Sequence, residues 1–344
     1  MVPFAAEVDC YQSVAYLPPK GINYLLLGCD KMIITILIFM FNILMLIFPQ
    51  IVLTAARDGL LLWFNNVLPS LAPFIIATNM LMSLGFAKFL GKLLAPMMNR
   101  AFALPGVAGF ALVTGLISGY PLGAKTVADL HKQGEITNDD AQHLLSFCNN
   151  AGPLFIVGVV GVGLFHSSFV GYLLWFTHVL AALVVGLMMA RGKKFSRTAS
   201  TRVSVLFNEF KSSPRPPIGK ALGDAVKNAM DSLVFIGGLI IFFSVVVAIG
   251  DELLELDDSI YAAIFAGLAE VTGGVKRLSL LAPSYLTVGF TAFLIGFSGL
   301  SIHAQTLHFI SETGIKTVPY IFAKFLHGVL AGIFAVVFAW ILLY

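Results

Sequence analysis

Charge is scarce in this chain: of 344 residues only 11% are Asp, Glu, Lys or Arg, against 58% hydrophobic residues and a mean hydropathy of +0.91. That scarcity removes it from the soluble class and makes it a polytopic membrane protein. Cysteine is scarce too. Cys10, Cys29 and Cys148 are widely separated and form no CxxC or Cys/His spacing, so they indicate neither a disulfide framework nor a metal site and read as three free thiols. His166, His178, His308 and His327 are scattered without ligand spacing. No Walker A sequence is present, so ATP is not the energy source, and no Ser/His/Asp or Cys/His constellation marks catalytic residues. The basic residues gather beside apolar segments and not on a periodic soluble face, which gives no reading for nucleic acid. Residues 1–31 lack a compact apolar stretch between a basic start and a small-residue cleavage site, so they read as a cytoplasmic or interfacial leader without a cleavable signal.

What the chain does have is one short stretch twice. Ser118-Gly-Tyr-Pro-Leu-Gly-Ala-Lys-Thr, running to Gly134, recurs 180 residues later as Ser298-Gly-Leu-Ser-Ile-His-Ala-Gln-Thr, running to Gly314. Counted from Gly109 and Gly289, seven of 26 positions match without a gap. Both copies interrupt apolar surroundings with Gly, Ser and a ring or Pro residue. Helices broken at matching points of two halves are the sign of a secondary transporter, because freed backbone groups in a membrane need each other, water or a ligand.

Clear spans, each needing about 20 apolar residues, are expected over 32–53, 69–86, 168–190, 229–249 and 319–344. A sixth, 137–165, starts with an N-cap and acidic turn at Thr137-Asn-Asp-Asp140 and breaks at Asn149-Asn150-Ala-Gly152-Pro153. The segments 105–130 and 284–312 carry the repeated break. Eight Lys/Arg between Arg191 and Lys220, opposed by Glu209 alone, place that segment in the cytoplasm; Asp251, Glu252, Glu255, Asp257 and Asp258 then fall on the other side. A full span at 105–130 would put Lys88, Lys92 and Arg100 outside, so that segment reads as a re-entrant hairpin, and 284–312 reads as a second one entering from the opposite face. The expected architecture is an all-α polytopic protein with six crossings, two hairpins, inverted repeats and cytoplasmic termini. Its parts are a leader and first helix (1–54), a first repeat with an additional helix (55–190), a basic linker with Pro214-Arg-Pro-Pro217 (191–220) and a second repeat (221–344).

Ser118-Gly-Tyr-Pro-Leu-Gly-Ala-Lys125, Phe147-Cys-Asn-Asn-Ala-Gly-Pro-Leu-Phe155 and Leu68-Pro-Ser-Leu-Ala-Pro-Phe74 resemble the YlbJ-type sporulation integral membrane proteins, which carry the nucleoside-recognition or Gate domain. The resemblance covers roughly 55–340 and loosens in the second half, where Gln305 stands in the place of Lys125. It implies a fold related to concentrative nucleoside transporters and movement of dipicolinic acid across a forespore membrane.

Candidate solute-binding residues are Ser118, Gly119, Tyr120, Lys125, Thr126, Asn149 and Asn150 in the first half, and Ser298, Gln305 and Thr306 in the second. Lys125, the hydroxyls of Ser118 and Thr126, and a half-helix starting after Pro121 suit a carboxylate; the alternative is that Lys125 snorkels to the interface near His131 and Lys132. Asn149 and Asn150 need partners in an apolar segment, either solute or the freed backbone around Gly152-Pro153. Glu270 and His303 are candidates for ion coupling. Glu270 could instead form an interfacial pair with Lys276 or Arg277, and His303 could serve packing. The function expected is secondary transport of a small anionic or polar solute, with no cofactor beyond a coupling ion, Na+ or H+. A nucleoside carrier and a non-transporting scaffold are the alternatives, the short loops arguing against the scaffold, and a membrane enzyme lacks a nucleophile and base. The partners are that solute and the lipid bilayer; the sequence leaves open whether the chain forms a homo-oligomer.

Overall fold

The computed structural model describes residues 23–191, 217–255, 259–282 and 284–343, and among them every regular element is a helix. The chain divides into two compact units, Met1–Pro49 and Gln50–Tyr344. The first contributes α1 (Asn23–Ile47), which leaves apolar side chains such as Leu37 and Phe39 exposed. The expected 32–53 span ends early, at Ile47: Phe48 is not helical and α2 starts at Pro49, a residue suited to a first helical turn and not to an interior. The leader before Asn23, most of the basic 191–220 segment, and Asp257 and Asp258 lie outside the described residues.

In the second unit, α2 (Pro49–Leu62), a π-turn (Trp63–Val67) and α3 (Leu68–Ser83) run against the 37-residue α9 (Ile218–Leu254). Trp63 Nε1 donates to the Leu233 carbonyl at 3.0 Å and Asn79 Nδ2 to that of Ala225 at 3.2 Å, so the two long elements are antiparallel. The amphipathic α4 (Phe86–Ala101) leads into α5 (Ala108–Ser118) and α6 (Leu122–Lys132), which pack along each other. The chain therefore folds back on itself within the expected 105–130 segment. Next come α7 (Asn138–Cys148), an irregular stretch over 149–153, a π-helix (Leu154–Leu164) and α8 (Ser168–Ala190). The Thr137 cap forms as read: its Oγ1 accepts from the Asp140 N–H, and Asp140 Oδ2 accepts from the Thr137 N–H, both at 3.1 Å.

After α9 the chain departs from the expected plan. α10 (Ile260–Ala269) and α11 (Val271–Leu280) fold back on each other around Glu270, with Gly274 set against the backbone of Gly267 and the Ala263 carbonyl. α12 (Tyr285–Phe297) and α13 (Gly299–Ile310) do not fold back. Together Tyr285–Ile310 is a 26-residue run long and apolar enough to cross a membrane, interrupted at Ser298. Where a hairpin is expected at 284–312 the structure has one interrupted helical run of spanning length, and the folded-back pair lies one element earlier. The reason is local: three residues, Gly119-Tyr-Pro121, separate α5 from α6, whereas helical geometry resumes directly after Ser298. Among the described residues four helical runs are long and apolar enough to cross, Ser168–Ala190, Ile218–Leu254, Tyr285–Ile310 and Thr317–Leu342, the last within α14 (Thr317–Leu343).

Small residues set the helix contacts, as expected where lipid gives no hydrophobic drive between helices. A Cβ on Gly289 would meet Val336, one on Gly296 would meet the Gly328 backbone, and one on Gly186 the Phe147 ring. The first two contacts make α12 and α14 antiparallel. Paired contacts of His178 with His327 and of Phe176 with Phe338 do the same for α8 and α14, so Leu343 lies at the end of the molecule opposite Arg191. One apolar core gathers Phe102, Leu130, Leu144 and Phe147; a second gathers Leu174, Val275, Leu294 and Ile295. The folded-back pairs have bases at opposite ends. Lys132 bonds Glu312 and Gln142 bonds the Lys316 backbone at one end, while Arg277 pairs with Asp251 at the other.

Candidate functional site

The tip of each folded-back pair meets the break of the helix that follows it. Gly119, at φ +87°, lies against Gly152, 2.7 Å from its nitrogen if a Cβ is added. Gly299, at φ +74°, lies against the Gly267 carbonyl and the Val271 nitrogen in the same way. Only glycine combines that backbone geometry with so close an approach. Deeper in the first pair, Gly115 and Gly123 on the two arms both face the Cys148 carbonyl oxygen at the end of α7.

Between these tips and breaks is a cavity of about 90 Å³, walled by α3 and α9 through residues such as Phe74, Ile236 and Ile240. One water needs roughly 10–15 Å³ on this measure, so the space admits several waters or a compact solute. The first turns of three half-helices supply lining: Leu154 and Phe155 of the π-helix, Val271 and Thr272 of α11, Ser301 and Ile302 of α13. The tip preceding α6 supplies Ser118, Gly119 and Tyr120. Helix N-termini carry unsatisfied N–H groups and a positive dipole end. Polar side chains add to them. Gln305 is 0% exposed with neither side-chain polar atom hydrogen-bonded, and Ser301 Oγ and the Tyr120 hydroxyl likewise have no partner among the described residues. Glu270, 7% exposed, is the lining residue with a formal charge. Its carboxylate accepts from Thr272 N–H at 3.0 Å and Gly273 N–H at 2.7 Å, capping α11 from within the cavity wall. The interfacial pair weighed for Glu270 is replaced by this cap, and Arg277 pairs instead with Asp251.

Of the residues singled out in the sequence, Ser118, Gly119, Tyr120, Glu270 and Gln305 line the cavity. Lys125 and Thr126 do not. Lys125 lies 3.5 Å from Asp129 on the same helix, the two side chains 18% and 37% exposed, and Thr126 is buried in α6. Asn149 and Asn150 find protein partners. Asn149 Nδ2 donates to Thr306 Oγ1 at 2.9 Å and to the Tyr320 hydroxyl at 3.0 Å, and Asn150 Nδ2 donates to the Phe147 carbonyl at 2.8 Å. Ser298 repairs the end of α12 through the Ile295 and Gly296 carbonyls, and His303 Nδ1 sits 3.4 Å from the Tyr320 hydroxyl. Lys125 and Asn149 therefore do not share one cavity.

Sequence reading singled out neither Ser301, Tyr320 nor, above all, Lys324, and set His178 and His327 aside for want of metal-ligand spacing. Lys324 is 0% exposed in the middle of α14, where it donates to the Asn149 carbonyl at 2.9 Å. Its signal was present as the lone Lys, Arg, Asp or Glu in the run 317–343.

Comparison with known proteins bears on this arrangement at two scales. Residues 64–190, from the π-turn through α8, match the Gate family, described as nucleoside recognition. Over 314 residues the chain is 36% identical to the sporulation integral membrane protein YlbJ of Bacillus subtilis (strain 168), an alignment covering 83% of this chain and 77% of that protein. The chain belongs to the YlbJ family. Membership makes it an integral membrane protein, in keeping with the helices described above, and neither match is to a catalytic family. The Gate match takes in the first tip and the first break; the YlbJ-family likeness extends over most of the chain. No solved structure matches it.

Proposed function

We propose that this YlbJ-family protein is a secondary transporter carrying a small anionic or polar solute through the cavity between the two tips and the two breaks. The observation that carries this reading is the convergence of helix N-termini on buried, unpartnered Gln305 and Ser301 in the interior of a membrane protein. Such groups stay unsatisfied unless a solute or water meets them. The reading is supported by a likeness between halves: a folded-back pair, an interrupted helix and a span occur as 108–132, 138–164 and 168–190, and again as 260–280, 285–310 and 317–343. The bases of the two pairs lie at opposite ends, as in an inverted repeat of the kind concentrative nucleoside transporters have. With Arg191 on the cytoplasmic side, the C terminus falls on the opposite face together with Asp251.

Anion preference in this reading comes from the N-termini, each worth roughly half a positive charge, and not from Lys125. Glu270 offsets one of them. Phe74, Tyr120 and Phe155 in the same wall suit a flat ring, so an aromatic dicarboxylate such as dipicolinic acid is the solute favoured. A nucleoside is the second reading, favoured by the Glu270 carboxylate as an acceptor for hydroxyl groups. Uptake of labelled dipicolinate by purified protein in liposomes, with dicarboxylates and nucleosides as competitors, decides between them. Dicarboxylates are expected to compete; nucleosides that block uptake while dicarboxylates do not would overturn the anionic assignment, and a wild-type protein that moves neither would remove the transporter reading.

A further inference from the structure

A second polar cluster lies behind the first break, away from the cavity lining. Lys324 Nζ is 2.9 Å from the Asn149 carbonyl and 3.1 Å from His327 Nδ1; His327 Nε2 is 3.0 Å from the His178 carbonyl; and His178 Nε2 is 3.1 Å from the Ala151 nitrogen. All three side chains are fully buried. No carboxylate neutralises the lysine among the described residues. The titratable groups that face it are Cys148 at the end of α7, His178 on α8, His303 on α13, and Tyr320 and His327 on its own helix. α12, which packs along α14, has none between Leu286 and Phe297. An unpaired ammonium at mid-helix costs about 2.5–3.5 kcal/mol on insertion scales, and such residues mark ion and proton pathways.

Hydrogen-bond chemistry fixes how many protons this cluster holds. The Ala151 N–H can only donate, so His178 Nε2 accepts and carries no proton. The His178 carbonyl can only accept, so His327 Nε2 carries its proton and His327 Nδ1 is left to face Lys324. If both Lys324 and His327 were charged, two N–H groups would point at each other across 3.1 Å. The pair therefore takes one excess proton or none. Both states keep every contact, since a neutral amine still donates to the Asn149 carbonyl and to Nδ1. Reversible proton binding requires that property.

The cluster also grips the break. Asn149 gives its carbonyl to Lys324 and its amide to Thr306 and Tyr320, His178 holds the Ala151 N–H, and the break contributes Gly152 to the cavity wall just before Leu154 and Phe155 of the π-helix. A cation at the Asn149 carbonyl also sits at the C-terminal end of α7, where the helix dipole favours it. We propose that Lys324 and His327 form a proton-binding site that couples proton movement to solute movement through the 149–153 break. The coupling half of this inference rests on the transporter reading, whereas the proton site does not.

The test uses full-length protein with Lys324→Met and His327→Gln variants. In detergent, thermal unfolding is followed from pH 5 to 9. Wild type and the variants are expected to diverge across that range, Lys324→Met because it has no lysine proton to exchange and His327→Gln because its lysine has lost the Nδ1 partner; parallel profiles would overturn the site. In liposomes, one proton per solute converts a one-unit pH gradient into about a tenfold solute accumulation. Wild type is expected to show that drive for dipicolinate, while the variants keep solute exchange at equal pH and lose the drive. Variants that follow the gradient as wild type does would overturn the coupling. Wild type that exchanges no solute at all refutes the transporter reading, and the pH profiles of unfolding then decide the proton site by themselves.

Discussion

Glu270 joins the fold to the proposed site, and removing its side chain should be felt in both. Its two oxygens accept from the Thr272 and Gly273 N–H groups at 3.0 and 2.7 Å, at the start of a 10-residue half-helix whose first turn lines the cavity. Glu270→Ala leaves both donors without an acceptor. In a dry interior each would cost about 1–3 kcal/mol, but the cavity admits water, so a net loss of about 2 kcal/mol, at the upper end for an N-cap, is expected. For a chain of 344 residues that corresponds to a fall of roughly 3 °C in Tm. Glu270→Gln keeps one acceptor and should lie between the two. Unfolding can be read in detergent from exposure of buried Cys148 to a thiol dye, with Cys10 and Cys29 changed to Ser. The same variants test the electrostatics. Without the formal charge in the wall, dipicolinate should raise the Tm of Glu270→Gln more than that of wild type. Glu270→Ala melting within a degree of wild type would refute the cap, and equal ligand shifts in wild type and Glu270→Gln would refute the place given to the carboxylate beside an anion.

Two further outcomes follow from packing and chain direction. A Cβ on Gly115 would drive into the Cys148 carbonyl oxygen, whereas one on Gly223 of α9 meets nothing within 4 Å. Gly115→Ala should therefore destabilise by about 1–3 kcal/mol while Gly223→Ala is neutral or gains up to about 1 kcal/mol of helix propensity; similar melting shifts for both would show that the hairpin does not clamp the break. In a cysteine-free background, an impermeant thiol reagent added outside should label cysteines placed at Glu252 and after the C terminus, and spare one at Lys316. Labelling of Lys316→Cys from outside, or of the C-terminal cysteine only from the cytoplasm, would break the assignment of Tyr285–Ile310 as a crossing.

Which features could be read from the chain depends on whether their cause is local. Asn149-Asn150-Ala-Gly152-Pro153 was legible as a break because two amides and a Gly-Pro pair cannot continue an apolar helix unaided, and Thr137–Asp140 was legible as a cap because the motif closes within four residues. The second fold-back was not. Its cause is contact between Gly267 and Gly274 across the turn, while the Ser298 motif, which resembles Ser118 in letters, has no counterpart of Pro121 to hold the chain away from the helix. Likeness of sequence therefore points to Ser298, whereas the chain folds back at Gly119 and at Glu270. Lys324 shows the other limit. A lone charge in an apolar run is visible at once, but its meaning depends on Asn149 and His178, which lie 175 and 146 positions away and meet it only because α14 runs antiparallel to α8 behind the first break. The backbone that Lys324 holds at the Asn149 carbonyl therefore continues within three residues into the cavity wall at Gly152, so the proposed proton site and the proposed solute site meet on one element from its two sides.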